Sequence, residues 1–324
     1  MPDLQMDTSL LEAFEQGLDP AHPERSAIPA RILGYGEIST VLELQTGGEP
    51  SPACKRLPMF RSPDEVTAYE RLYRRYVDTL QNGAGVRLVP DTLVRVTGRR
   101  GQTILYILQQ KLPPHSIAHK AIHRLPPAAV ERLVDAVLQE TRKVFDFNRR
   151  HRGELELGFD GQISNWAILG LEEGDTRLPE PLSLAYLDTS TPLLRQNGQE
   201  QLDPELFLRS APSFLVWIIR LLFLEEVMTR YYDFRQVAVD LIANFYKEQR
   251  PDLVPALVEQ VNRFFAAHEE YAAFNPLTVS EIQAYYREDA WIWRIYLAFR
   301  KVDRTLHRLL RREYPYILPD KIQR

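Results

Sequence analysis

The spacing of hydrophobic and polar positions changes character twice along this chain of 324 residues. Near the start, Ser9-Leu10-Leu11-Glu12 has the form of a capping box and predicts a short helix over 8–18. A linker punctuated by Pro20, Pro23 and Pro29 follows. From Ala30 the pattern shortens to strands: ARIL at 30–33, TVLEL at 40–44 and, after the turn Thr46-Gly47-Gly48, ACKRL at 53–57. Ser62-Pro63-Asp64-Glu65 then opens a helix over 63–81, with serine as N-cap and proline at the first helical position. TLVRVT at 92–97 and TILYILQQ at 103–110 read as two more strands, joined by Gly98-Arg99-Arg100-Gly101.

Beyond Pro113-Pro114 and Pro126-Pro127 the period lengthens. Val130, Leu133, Val134, Val137, Leu138, Val144 and Phe145 recur near 3.6 residues and predict a helix over 128–151. The periodicity lapses between 155 and 195, where LELGFD, NWAIL and LSLAYLD are short strand-like pieces. After Pro204 it returns, predicting helices near 204–210, 212–247, 251–273 and 279–313, the last capped at Thr278-Val279-Ser280-Glu281. The elements sort into an α+β chain with three parts. Residues 1–29 are a helix and linker, 30–112 a β-rich lobe, and 113–324 a mainly helical lobe.

Composition narrows the class. Hydrophobic residues at 44% and charged residues at 26% are globular values. One cysteine excludes a disulfide framework within the chain and a multi-cysteine metal site. A net charge of −4 exerts no global pull on nucleic acid or anionic lipid, so no nucleic-acid partner is expected. The greasiest run, Phe214 to Leu224, is interrupted by Arg220 and falls well short of the roughly 20 apolar residues that span a bilayer. The opening MPDLQMDTSLLEAFEQGL lacks a basic segment followed by an apolar one. A soluble, cytoplasmic protein without a membrane span is the expectation.

Four features could carry chemistry, and each has an ordinary structural reading. Gly34-x-Gly36-x-x-Ser39 is a glycine-rich hairpin that would let backbone N–H groups approach phosphates, or it is a plain turn. A strand follows these glycines, so this is not a dinucleotide-binding turn, and no Gly-Lys-[Ser/Thr] is present for a Walker loop. Lys55, in Ala53-Cys54-Lys55, is either an edge-strand lysine in water or a buried ammonium that needs anions. Glu70 on the next helix is the first internal partner to consider, with Glu65 behind it. Asp160 and Asn165 sit five apart on an irregular loop, where they either form turns or meet at one centre. Asp188 ends the apolar stretch Ala185-Tyr186-Leu187, as a Mg²⁺ ligand or as a cap for the next turn.

In order and spacing, these features resemble the protein-kinase-like fold, nearest to its aminoglycoside and choline phosphotransferase branch. The likeness covers residues 30–195. Gly34-x-Gly36-x-x-Ser39-x-Val41 matches the glycine loop, Ala53-x-Lys55 the nucleotide-binding lysine strand, and Glu70 its helix partner. Gln109 to Leu112, with Gln110 in its middle, match the hinge; Asp160-x4-Asn165 match the catalytic loop, and Asp188 the metal-binding aspartate. The resemblance implies a two-lobed protein that binds ATP with Mg²⁺ and moves a phosphoryl group to a hydroxyl of a small-molecule acceptor. Lys55 would hold phosphates, Asn165 and Asp188 the metal, and Asp160 would act as base.

The chain also departs from that pattern. Ser39 stands for a third glycine, and Gly158 for the histidine usual two residues before the catalytic aspartate. Gln162 replaces a lysine or histidine near the phosphates, and Thr189-Ser190 replace Phe-Gly. Loss of a cation from the transition state lowers rate, so a nucleotide-binding or interaction protein with weak or no catalysis is the alternative. Nucleotidyl transfer on the same fold is another. The helical region is rich in aromatics and has no acidic cluster that would nominate a cationic acceptor.

Two further features stand outside this set. His115, His119 and His123 recur every four residues, but two prolines precede them and no carboxylate sits at ligand spacing, so they read as hinge-loop surface. The last helix interleaves Arg287, Arg294, Arg300, Lys301, Arg304, Arg308, Arg311 and Arg312 with Trp291, Trp293, Tyr296 and Phe299. Its simplest reading is a buried aromatic face with a solvated basic back, which would also suit a protein partner. Cys54 reads as a small core residue.

Overall fold

The computed structural model of the chain describes residues 4, 6–36, 39–46, 51–209, 229–310 and 314–319. Helix α1 (Thr8–Gly17) is capped two residues earlier than the sequence suggests: Asp7, not Ser9, is the N-cap, and its carboxylate accepts from Ser9 N at 2.9 Å. Strands β1 (Ala30–Tyr35), β2 (Thr40–Leu44) and β3 (Ala53–Leu57) lead to α2 (Pro63–Asp78), and β4 (Asp91–Thr97) and β5 (Thr103–Gln109) follow. Ser62 caps α2 as predicted, accepting from Glu65 N, and the helix passes into a wider turn over Thr79–Gly83.

These five strands form one antiparallel sheet in the order β1-β2-β3-β5-β4. Alternation assigns each residue to a face. On one face Leu42, Cys54, Tyr106 and Leu108 pack against Leu11 and Phe14 of α1. On the other Leu57, Leu105 and Ile107 pack against Val66, Tyr69 and Tyr73 of α2. Covered on both sides, β3 is buried at every position. Cys54 is a core residue, and burial, with the charge of Glu43 adding to it, pushes its thiol up to about 12.

Burial on both faces requires internal partners for the charges that β3 carries. Arg56 turns toward α1, where its Nε and Nη2 donate to Glu15 at 2.7 and 2.9 Å. Both side chains are almost fully buried, at 4% and 2% exposure. Arg56 also donates to Pro315 O at 2.5 Å, and Tyr106 gives its hydroxyl to Glu15. The sheet, α1 and the segment 314–319 are thereby tied at one point.

Among the described residues the rest of the chain is mainly helical, with α3 (Ala118–Ala121), α4 (Pro127–Arg150), α5 (Glu205–Leu208), α6 (Phe234–Lys247), α7 (Val254–Ala266) and α8 (Val279–Leu309). The short strands β6 (Leu155–Leu157), β7 (Trp166–Ile168), β8 (Leu184–Tyr186), β9 (Leu194–Gln196) and β10 (Gln199–Glu200) lie between α4 and α5. Leu133, Val137 and Phe145 of α4 share a core with Ile242 and Phe245 of α6 and Val261 of α7. The α+β expectation stands at this level.

Several helices are shorter than the periodicity suggests. The first part of the predicted 212–247 helix, with the Phe214 to Leu224 run, lies outside the described residues; the second part is α6, started afresh by the Asp233 cap. The predicted 251–273 helix ends at Ala266, because Tyr271 turns back to pack edge-on against Phe234 at 5.0 Å and to bond Asp146. In α8 the expected division into buried aromatics and solvated cations fails. Arg300 is buried against the rings of Tyr296 and Tyr316, while Trp291, Leu306 and Leu309 are exposed. Among the described residues no helix is long and apolar enough to cross a membrane.

The three spaced histidines do not share a helical face, since α3 is only four residues long. His119 is half-buried rather than on the surface, and its Nδ1 has no hydrogen-bond partner. Burial, reinforced by nearby Lys120, pushes its pKa down to about 4. Between pH 6.5 and 4 the unfolded chain therefore binds a proton that the folded chain refuses, and stability falls as pH falls through that window. By pH 5 the loss is about 2 kcal/mol, and His119→Leu removes this part of the acid sensitivity in urea titrations across pH 5–7.

Candidate functional site

Sheet register gathers the first set of predicted residues. Gly34 pairs with Val41, Val41 with Lys55, Lys55 with Ile107 and Ile107 with Leu93, so one row crosses all five strands. A second row, two residues along, joins Ala53, Gln109 and Asp91. Residues in register or two apart share a face. Gly34, Val41, Ala53, Lys55, Gln109 and Asp91 thus lie on the α2 side of the sheet. A bulge between Ile32 and Gly34 sets this alignment. The hairpin beyond it closes through Gly36 N donating to Ser39 O at 3.0 Å. A Cβ at Gly36 would come within 2.7 Å of Ser39 Oγ, which accounts for a glycine there. Glu37 and Ile38 lie outside the described residues.

Lys55 is a buried ammonium with internal acceptors. Its side chain is 9% exposed, and Nζ donates to Leu187 O at 2.8 Å and Asp188 Oδ1 at 3.1 Å. Glu70 is not its partner. That carboxylate accepts from Arg95 Nε at 2.5 Å and Nη2 at 2.9 Å, because Arg95 of β4 projects from the same sheet face toward α2. The fallback, Glu65, is taken by Arg209 at 2.5 and 2.9 Å.

The pairing of β7 with β8 brings the other two segments together. Trp166 opposite Tyr186 sets the residue before β7 against the residue after β8, and Leu187 N donates to Asn165 O at 2.8 Å. Asn165 Nδ2 donates to Asp160 O at 3.2 Å, as does the Tyr186 hydroxyl at 3.0 Å. Asp160 Oδ1 accepts from Gln162 N at 3.1 Å. Asp160, Asn165 and Asp188 are therefore neighbours through direct bonds and adjacent residues.

Asp188 Oδ1 gathers Lys55 Nζ together with Ser190 N at 3.2 Å and Ser190 Oγ at 2.7 Å. Burial works to raise its pKa, but the Lys55 charge and the Ser190 bonds outweigh it and hold the carboxyl below its ordinary value. All three bonds end on Oδ1 and a third of the side chain is open to solvent, so a second oxygen is available to a hard cation. The amide oxygen of Asn165 is likewise the end not used in its bond to Asp160. Among the described residues no three His, Cys, Asp or Glu side chains group around a metal site. The set fits an ion shared with a phosphate ligand, since Mg²⁺ is commonly held by one or two carboxylates plus substrate oxygens.

Each departure in the loop has a local cause. A Cβ at Gly158 would lie 2.7 Å from Leu193 Cβ and 3.1 Å from the Tyr232 ring, so no histidine fits. Gly158→Ala is expected to cost about 1–3 kcal/mol, read as a lower urea midpoint. Gln162 turns away into the helical core, donating to Asp240 Oδ2 at 2.8 Å and accepting from Asn244 Nδ2 at 3.1 Å. Gln110, the predicted hinge contact, spends its N–H on Pro90 O at 3.0 Å.

Tyr73, Asp91 and Thr189 went unpredicted as site residues, and Gln109 was expected only as part of the hinge. Tyr73 OH donates to Asp91 Oδ2 at 2.6 Å and meets Thr189 Oγ1 at 2.8 Å, and Gln109 Nε2 donates to Leu187 O at 3.0 Å. Alternation along Asp91-Thr92-Leu93 places Asp91 on the inward face and was the available signal. Tyr73 and Thr189 had none, because their pairing depends on how α2 meets the loop after β8.

No curated protein matches the chain. Over residues 19–305 it matches a family of unknown function, DUF6206, and it belongs to that family.

Proposed function

We propose that this chain is an ATP- and Mg²⁺-dependent phosphotransferase of kinase-like, two-lobed architecture, acting on a hydroxyl of a small molecule. One observation carries the reading. A buried lysine on the third strand meets, at 3.1 Å, the aspartate after β8, which neighbours an Asp-x4-Asn loop. The small and apolar residues Gly34, Val41 and Ala53 share the lysine's face and offer a floor for a flat base. Lys55 would turn from Leu187 O and Asp188 to the phosphates, and Gln110 would line the far end of the floor. Asn165 and Asp188 would hold Mg²⁺, which neutralises charge on a transferring phosphoryl group. Asp160, fixed by its bonds to Gln162, Asn165 and Tyr186, would orient the acceptor hydroxyl and take its proton.

A second reading, nucleotide binding with weak or no turnover, is favoured by Gln162, a neutral side chain already committed to Asp240 and Asn244. Incubation with ATP, Mg²⁺ and a panel of hydroxylic acceptors separates the two. Phosphotransfer predicts acceptor-dependent ADP release that falls about 10²–10⁴-fold in Asp160→Asn, with ATP affinity little changed. Pyrophosphate release would instead mean nucleotidyl transfer, and binding without either product would leave the non-catalytic reading.

A further inference from the structure

We infer that Lys111 and Glu43 form a strap across the hinge end of the proposed base-binding floor, and that this strap must part before a nucleotide base enters. The inference rests on the proposed nucleotide site for its consequence, but its geometry involves only the chain's own residues. Glu43 lies two residues beyond Val41 on β2, so alternation places it on the face that carries Lys55. The register of β2 with β3, Leu42 against Cys54, carried one step further sets Glu43 beside Ala53, whose other neighbour is Gln109. Lys111 follows Gln109 by two residues, and its Nζ donates to Glu43 Oε1. The bridge therefore crosses β3 at its Ala53 end, where a methyl side chain leaves the path open. It joins the two banks of the floor, Val41 and Glu43 on one side, Gln110 and Lys111 on the other.

The carboxylate is held through its second oxygen as well. Arg31, directly opposite on β1, donates to Glu43 Oε2 from Nε at 2.8 Å and from Nη2 at 2.5 Å. The Glu43 side chain is 12% exposed and that of Lys111 25%, so solvent screens this pair only in part. Burial works to raise the Glu43 pKa, but the bonds from Lys111 and Arg31 outweigh it and hold the carboxyl below its ordinary value. The two cations differ in what they fasten. Arg31 and Glu43 belong to one hairpin, and their bond leaves that hairpin free to move as a unit. Lys111 follows β5, which is separated from β2 by β3, so its bond ties the hairpin to the hinge. A flat base laid between Val41 and Gln110 needs the space that the bridge spans, and its apparent affinity scales with the fraction of molecules in which the bridge is open.

The test compares Lys111→Met with Arg31→Met in the full-length protein; both side chains are partly exposed, and only the first change cuts the tie to the hinge. The first readout needs no nucleotide: hydrogen–deuterium exchange of residues 30–44, expected to quicken about tenfold in Lys111→Met and to stay within about twofold in Arg31→Met. The second is the affinity for adenosine, an uncharged probe, so that salt acts on the strap and not on phosphate contacts. It is expected to tighten about tenfold in Lys111→Met and to stay within about twofold in Arg31→Met. In the wild type it should tighten about threefold as salt is raised toward about 1 M, and Lys111→Met should lose this response. Unchanged exchange in Lys111→Met, an equal rise in Arg31→Met, or weaker adenosine binding in Lys111→Met overturns the inference. If neither the wild type nor Lys111→Met binds adenosine or Mg-ATP while exchange follows the expected pattern, the tie between hairpin and hinge stands and the nucleotide reading falls.

Discussion

Arg56→Met is expected to destabilise the protein by about 3–5 kcal/mol, the cost of leaving one member of a buried ion pair without its partner. Glu15 is 2% exposed on its side chain, and among the described residues no other cation bonds it there. Among the described residues the Tyr106 hydroxyl would remain its side-chain donor, and a neutral donor cannot replace a guanidinium. The loss of the Arg56 bond to Pro315 O adds to the effect, because this bond fastens the segment 314–319 to the sheet. Against a typical total of about 5–15 kcal/mol, such a change leaves a marginal fold. Replacing both residues by methionine should recover part of the loss, since two buried charges are then removed together and only the Tyr106 hydroxyl and one carbonyl go unpaired. Equilibrium urea unfolding of the two variants measures both statements.

The second large effect belongs to Lys55. Lys55→Met leaves the Asp188 carboxylate without the cation that bonds it. Asp188 is a third exposed, so the expected cost is about 2–4 kcal/mol at neutral pH, lower than for a fully enclosed pair. The sign with pH follows from the carboxyl whose pKa the fold depresses. In the wild type Asp188 contributes stability above its ordinary pKa and loses it as pH falls through the depressed value. Without Lys55 the largest cause of that depression is gone and only the Ser190 bonds remain, so the gap between variant and wild type narrows as the solution is acidified toward pH 3. A constant gap across this range would mean that the lysine acts through packing alone. In the proposed site the same variant should weaken Mg-ATP by about tenfold to a hundredfold, the worth of one hydrogen bond to a charged group.

Much of this geometry was legible before the structure. The strands at 40–44 and 53–57 fall on the predicted residues, and the order of strands around α2 follows the pattern of turn signals. Sheet alternation is a strong local signal, so the face shared by Gly34, Val41, Ala53 and Lys55 could be anticipated. Glu70 was misassigned for a reason equally physical. Helical spacing places it toward the sheet but does not say which cation it meets, and Arg95 on β4 lies in its way. Asp91 was overlooked because a residue that opens a strand after proline reads as turn chemistry. Tyr73 and Thr189 are joined across 116 residues of sequence, and no local pattern encodes such a contact. The helices after Pro204 were overextended because periodicity cannot register a chain reversal dictated by packing, as at Tyr271.

Thermal unfolding with and without ATP plus Mg²⁺ tests the proposed nucleotide–metal site at Lys55, Asn165 and Asp188 most directly. At a hundred times its dissociation constant a specific ligand adds about 2.7 kcal/mol. The expected result is a rise in the midpoint that requires both ATP and Mg²⁺ and is lost in Asp188→Ala. A folded wild type whose midpoint does not move at millimolar ATP and Mg²⁺, or an Asp188→Ala variant that responds as the wild type does, would contradict it.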